Sequence, residues 1–159
     1  MKTAIYAGSF APITNGHMDI ILTASKMFDK VIVAVANNIE KKTFISVDDR
    51  VKLIRECVQS IENVEADFFE GLTVDYAASK GAEYLIRGIR NSTDTEYELQ
   101  LKEINSKLNP KIITVFLTSK TENNSISSSA IREILHYGGN ISQFVPKPVK
   151  KYFDIKRGI

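Results

Sequence analysis

Apolar and polar positions alternate between two periods along the chain. Val31 to Ala36 is an unbroken apolar run, the pattern of a strand buried on both faces of a parallel sheet. Shorter extended runs at Ala4 to Ala7, Val64 to Phe69, Tyr84 to Ile86 and Ile112 to Leu117 predict four further strands. Between them the spacing widens to three and four, the helical period. Ile20, Ile21, Ala24, Met27 and Phe28 predict one apolar helix face, and Val47, Val51, Ile54, Val58 and Ile61 a second. A short helix passes through Ala77 and Ala78 and is closed by Gly81. A long one runs from about Thr95 to Leu108, with Tyr97, Leu99, Leu101, Ile104 and Leu108 as apolar contacts, and Pro110 stops it. Ser127-Ser128-Ser129 opens a helix through Ile131, Ile134 and Leu135 that ends at Gly138-Gly139, and Pro148 opens a terminal helix containing Val149, Tyr152 and Phe153.

Five strands alternating with helices predict an α/β protein: one Rossmann-like, doubly wound domain spanning residues 1–159. Right-handed crossovers and an expected parallel strand order of 3-2-1-4-5 put helices on both faces. The switch point then falls beside the first strand. There Ile5-Tyr6-Ala7-Gly8-Ser9-Phe10-Ala11-Pro12-Ile13-Thr14-Asn15-Gly16-His17 reads as strand, turn and helix start, with Thr14 or Asn15 as the cap. His17 stands in or beside the first helical turn, where free N–H groups favour anions.

Composition narrows the class. The 159 residues are 43% hydrophobic and 25% charged, as in ordinary globular proteins. The net charge of +2 gives no bulk case for nucleic acid. Cys57 is the one cysteine, so no internal disulfide forms, and no apolar run reaches membrane-spanning length. The opening residues carry no secretory pattern, and a reducing cytoplasm is the expected compartment.

In a doubly wound sheet, ligands bind beyond the carboxyl ends of the strands. The residues at those ends are Gly8, Ser9, Phe10 and His17; Lys41 and Lys42; Gly71 and Leu72; Arg87 and Arg90; and Thr118, Ser119, Lys120 and the triple serine. Bases and hydroxyls gathered on one rim, without a dense carboxylate cluster, fit a polyphosphate ligand. The G-x-x-x-x-G-K-[ST] and G-x-G-x-x-G patterns are absent, as are metal-ligand spacings and a nucleophilic triad. Such a site suits phosphoryl or nucleotidyl transfer, where catalysis is mostly positioning and charge stabilisation.

Four blocks carry a family resemblance. Thr14-Asn15-Gly16-His17 resembles the [HT]-x-G-H signature of the nucleotidyltransferase superfamily, and Ile126-Ser127-Ser128-Ser129 with Arg132 resembles its I-S-S-[ST]-x-x-R signature. Arg87-Gly88-Ile89-Arg90, followed by Asp94, Glu96, Tyr97 and Glu98, is similar to the bacterial phosphopantetheine adenylyltransferases, as is the length. The resemblance implies that ATP and 4′-phosphopantetheine give dephospho-coenzyme A and pyrophosphate. It implies Mg2+ on the ATP phosphates, coenzyme A as a regulator and a homohexamer, with neither nucleic acid nor membrane as partner. By motif it assigns catalysis to His17, Ser9, Lys41 and Arg90. Acceptor binding falls to Ser9, Lys41, Leu72, Thr73, Arg87 and Asn105. ATP binding falls to Ser9, Phe10, His17, Gly88, Ile89, Arg90, Glu98 and the loop Asn123, Asn124, Ser125, Ile126, Ser127, Ser128, Ser129.

The chain departs from that pattern at three places. Ala11 stands where the family usually has Asp, Asn123-Asn124-Ser125 where aromatics are usual, and Thr95 where an aromatic is common. The alternatives are therefore a transferase acting on another phosphate acceptor, such as nicotinamide mononucleotide or glycerol phosphate, and a nucleotide-binding module whose catalysis is impaired by Ala11.

Overall fold

The structure is a computed structural model and describes residues 1–37 and 44–158. The elements run β1 (Thr3–Gly8), α1 (Asn15–Met27), β2 (Lys30–Ala36), α2 (Val47–Val58), β3 (Val64–Phe69), α3 (Thr73–Ser79), β4 (Tyr84–Gly88), α4 (Ser92–Leu108), β5 (Ile113–Leu117), a 3-10 turn at Thr121–Asn123, α5 (Ser128–His136) and α6 (Lys147–Arg157). The five strands form one parallel sheet in the order β3-β2-β1-β4-β5, as expected from the pattern.

The two-residue period of a strand divides β1 between two cores. Ala4 and Tyr6 belong to a core with α1, α2, α5 and α6, through Ile20, Ile54, Ile131 and Phe153. Ile5 and Ala7 point to the opposite core, with Val74 and Ala77 of α3 and Leu85 of β4. β1 is thus covered on both faces and flanked by β2 and β4. The chain leaving its carboxyl end enters the crevice between the two halves of the sheet, which is where the site sits.

α1 begins where its cap dictates. The Thr14 side chain accepts the His17 N–H and the His17 ring accepts the Thr14 N–H, a reciprocal capping box. At the other end, Asn63 donates to the carbonyls of Ser25 (2.8 Å) and Phe28 (2.9 Å), satisfying groups a helix terminus leaves open.

Some boundaries differ from the pattern. α4 starts at Ser92 rather than near Thr95, because the Asn91 side chain accepts the Asp94 N–H and caps the helix three residues earlier. Pro148 occupies the second helical position of α6, after Lys147. Met27 is 49% exposed, so the apolar face of α1 closes at Ala24 and Phe28. The larger difference is α4. Tyr97, Leu99, Ile104 and Leu108 are exposed, and Glu98 is the helix residue that is buried. An ion pair, not an apolar stripe, faces α4 toward the sheet.

Candidate active site

A cavity of about 310 Å3 opens between the carboxyl ends of β1 and β4 and is walled by α1 and α5. It brings together Ser9, Phe10, His17, Arg87, Gly88, Arg90, Glu98, Ile126, Ser127, Ser128 and Ser129 from the residues singled out in the sequence. Leu72, Thr73, Ile89, Asn105, Asn123, Asn124 and Ser125 do not line it. Lys41 and Lys42 lie outside the described residues. Tyr6, Ala7, Gly8, Thr14, Gly16, Ile20, Ser119 and Arg132 complete the wall.

The end of β1 and the turn after it are held by their carbonyls. Ala7 O accepts Arg87 Nη1 (3.3 Å), Ser9 O accepts Arg50 Nη1 (2.8 Å), Ala11 O accepts Arg132 Nη1 (2.9 Å) and Pro12 O accepts the Ser128 hydroxyl (2.8 Å). Among the described residues, no group accepts the N–H of Ser9 or Phe10. Carbonyls drawn outward and amides left open make a concavity suited to anions. The first amides of α5, at Ser128 and Ser129, are likewise open, since helix starts leave them without intrahelical partners.

Phe10 wedges the turn into place. Its backbone sits in the left-handed region at φ 46°, uncommon for a bulky side chain. Its ring packs edge-on against Tyr6 at 5.3 Å and against His17 at 5.0 Å. The ring lies so near Gly8 that a Cβ there would stand 3.3 Å from it, a tight contact that favours glycine at this position.

His17 has a defined protonation. Its Nδ1 accepts from the Thr14 N–H (3.0 Å), with the Thr14 hydroxyl at 3.1 Å. Burial, helped by the nearby Arg90 charge, lowers its pKa to about 4. A neutral imidazole with Nδ1 as acceptor carries its proton on Nε2. The cavity therefore receives a neutral N–H donor at neutral pH.

The arginines divide into two kinds. Arg87 meets both oxygens of Glu98, with Nε 2.5 Å from one and Nη2 2.7 Å from the other. Burial opposes the Arg87 charge, but the Glu98 carboxylate outweighs it and raises the guanidinium pKa. Arg90 Nε meets Asp94 (2.9 Å) and Nη1 reaches Ile126 O (3.3 Å). The rim is thus partly neutralised, where the sequence reading expected no dense carboxylate cluster. Arg50 and Arg132 differ: their hydrogen bonds go to carbonyls and, for Arg132, to the Ser129 hydroxyl (2.9 Å). Among the described residues neither has a carboxylate partner.

Arg50 is the residue that sequence reasoning passed over. It is buried, and its position among Val47, Val51 and Ile54 places a cation on the apolar face of α2. That misfit was the available signal. Ala11 is 1% exposed, and it is the Ala11 carbonyl that engages Arg132.

Because His17 binds its proton less readily folded than unfolded, the unfolded chain takes it up first as pH falls. Its contribution is complete above pH ~6.5, and stability drops between about 6.5 and 4. Urea midpoints measured across that range will fall toward acid in the wild type, and His17→Gln will flatten that component. An unchanged slope in His17→Gln would show that the ring is not buried neutral.

The comparisons with known proteins agree with this geometry. The family model of cytidylyltransferase-like proteins matches residues 5–134. A phosphopantetheine adenylyltransferase of Syntrophomonas wolfei is 48% identical over 156 residues, covering 98% of this chain and 97% of that protein. One from Desulforudis audaxviator is 44% identical over 159 residues, covering 100% and 98%. The crystal structure of a putative nicotinate-nucleotide adenylyltransferase from Vibrio parahaemolyticus superposes with a TM-score of 0.72 over 96% of this chain and 99% of that one, at 20% identity, and so shares the fold. Fold, cavity and full-length similarity lead to one assignment: the chain belongs to the phosphopantetheine adenylyltransferase family, within the cytidylyltransferase-like proteins.

Proposed function

We propose that the chain transfers the adenylyl group of ATP to 4′-phosphopantetheine, giving dephospho-coenzyme A and pyrophosphate in coenzyme A biosynthesis. The observation that carries the reading is the meeting of Ser9, His17, Arg87, Arg90, Ser128 and Ser129 in one cavity at the switch point. An oxygen of the acceptor phosphate attacks the α-phosphorus of ATP. The bond from that phosphorus to the bridging oxygen breaks, and pyrophosphate leaves with the electron pair. The acceptor is already ionised at neutral pH, so the step needs no general base. What it needs is alignment and stabilisation of charge growing on the α-phosphate.

His17 supplies that stabilisation through Nε2–H, a neutral donor that loses no proton to the phosphate. The open amides of Ser9 and Phe10 and the start of α5 hold phosphate oxygens. Arg87, oriented by Glu98, presents its remaining donors to the acceptor phosphate, with Lys41 as its companion. Glu98 thereby acts on the reaction through Arg87. Arg90 and Ile126 to Ser129 hold the nucleotide, with Asn123 and Asn124 shaping the loop behind them.

ATP enters as its magnesium complex. Among the described residues no group of three or more His, Cys, Asp or Glu could hold a metal ion. Mg2+ would be brought on the phosphates of ATP and would help neutralise their charge, as is usual for this ion at nucleotide sites. Tyr97, Ile104 and Leu108 form an exposed apolar stripe on α4 at helical spacing, which supports self-association into the homohexamer. No described helix is long and apolar enough to cross a membrane, and a cytoplasmic site of action follows from the substrates. Coenzyme A, as the downstream form of the product, fits as a regulator of the same cavity.

Pyrophosphate release with 4′-phosphopantetheine, nicotinamide mononucleotide and glycerol phosphate tests the reading. Turnover with the first alone is expected; a preference for another acceptor, or ATP binding without turnover, would refute it. In the same assay His17→Ala should raise the barrier by about 2–4 kcal/mol, the usual loss of a transition-state donor. ATP affinity should change little, and a large affinity loss at unchanged turnover would remove His17 from that role.

A further inference from the structure

The loop after β5 forms one wall of the cavity, through Ser119, Ile126 and Ser127. It is mostly irregular, with one 3-10 turn at Thr121–Asn123. Its shape is held by bonds within the loop and by partners outside it. Two outside partners are Asp19 on α1 and Arg90 after β4. One oxygen of Asp19, Oδ2, accepts both the Lys120 N–H (3.1 Å) and the Asn123 side-chain N–H (2.7 Å).

Gly16, one helical turn before Asp19, completes the seat. A Cβ on Gly16 would stand 3.2 Å from the Asn123 carbonyl and 3.8 Å from the Ser119 Cβ. The loop thus rests directly on the α1 backbone, and a side chain at Gly16 would press on it. The bonds then continue through the loop to the site. Asn123 O accepts the Ile126 N–H (3.2 Å), and Ile126 O accepts Arg90 Nη1 (3.3 Å). Asn124 Nδ2 donates to Arg90 O (2.8 Å), and Ser119 Oγ donates to Asn124 Oδ1 (3.3 Å).

We infer that Asp19 is a positioning residue for the nucleotide. It fastens the loop wall to the helix that carries His17, so that purine-side and phosphate-side contacts are set by one rigid element. The inference rests on the proposed use of this cavity for ATP. It explains why Asn123 and Asn124 stand in the loop: their amides build the wall and do not line the cavity. It also accounts for a carboxylate placed near a polyphosphate site. By charge alone, Asp19 would repel ATP, and its removal would tighten binding. As a fastener, its removal loosens the wall and weakens binding. The two effects have opposite signs.

The test is ATP binding by calorimetry, with no acceptor present, on the wild type, Asp19→Ala, Asp19→Asn and Asn123→Ala. Asp19→Ala should bind ATP about tenfold more weakly, the scale of losing charge-assisted hydrogen bonds. Asp19→Asn keeps an oxygen that can take both bonds and should stay within about threefold of wild type. The Asp19→Ala/Asn123→Ala double variant should show less than the sum of the single effects, as partners in one bond do. In steady-state assays the loss should appear in the KM for ATP, with kcat and the KM for the acceptor nearly unchanged. Amide exchange at Lys120 and Ile126 in the ligand-free protein should quicken in Asp19→Ala.

Unchanged or tighter ATP binding in a folded Asp19→Ala, equal losses in Asp19→Ala and Asp19→Asn, or strict additivity would each overturn the inference. If the wild type takes up no ATP, the inference and the proposed function fall together. If the wild type binds ATP and Asp19→Ala binds it equally well, the inference alone falls.

Discussion

Ala7 O near the end of β1 and the Ser9, Ala11 and Pro12 carbonyls of the turn after it each accept a hydrogen bond from a side chain on another element. That constraint orders much else. A turn of this length would otherwise offer carbonyls and amides to the cavity in no fixed sense. Arg50, Arg87, Ser128 and Arg132 draw the carbonyls away, and the amides of Ser9 and Phe10 are left for a ligand. Charged donors are stronger than neutral ones, about 1.5–3 kcal/mol each in favourable settings. Burying a guanidinium has a cost of similar size, so the net gain in stability is small. What the arrangement provides is orientation. It also joins α2, β4 and α5 to the turn, so that assembling the fold assembles the site.

The electrostatics follow from who pairs with whom. Arg87 and Arg90 are matched by Glu98 and Asp94, which makes them shaped donors more than free charges. Arg50 and Arg132 meet neutral acceptors, and their charge reaches the turn through the carbonyls they hold. His17 beside Arg90 is kept neutral by burial. A cationic imidazole would compete with the arginines for the same phosphate oxygens; a neutral one adds a donor without adding repulsion inside the site.

Strand positions and sheet order were legible because a buried parallel sheet leaves a strong signature: apolar runs, helical spacing between them, and a handedness rule that removes most topologies. β3 coincides with the run Val64 to Phe69. Residues in the first turn, at the end of β4 and at the start of α5 were legible as well, because turn glycines, caps and strand ends have local causes. Long-range partners were not. Asp19 bonds to Asn123 across 104 positions and Arg132 to Ala11 across 121, and neither link has a periodic trace. Charged residues in helices usually face solvent, so nothing in the pattern alone marks Glu98, which the family resemblance assigns to ATP, as buried, and Arg50 shows only as a misfit on an apolar face. The apolar positions of α4 misled in the opposite direction: spacing cannot say whether a stripe meets a core, another chain or water.

The claim that the turn presents its amides to phosphate can be tested at those amides. Titrating the protein with pyrophosphate and following backbone 1H–15N resonances should move the Ser9 and Phe10 signals downfield in a saturable way, together with those of Ser128 and Ser129. Saturable pyrophosphate binding that leaves Ser9 and Phe10 unmoved would contradict the account.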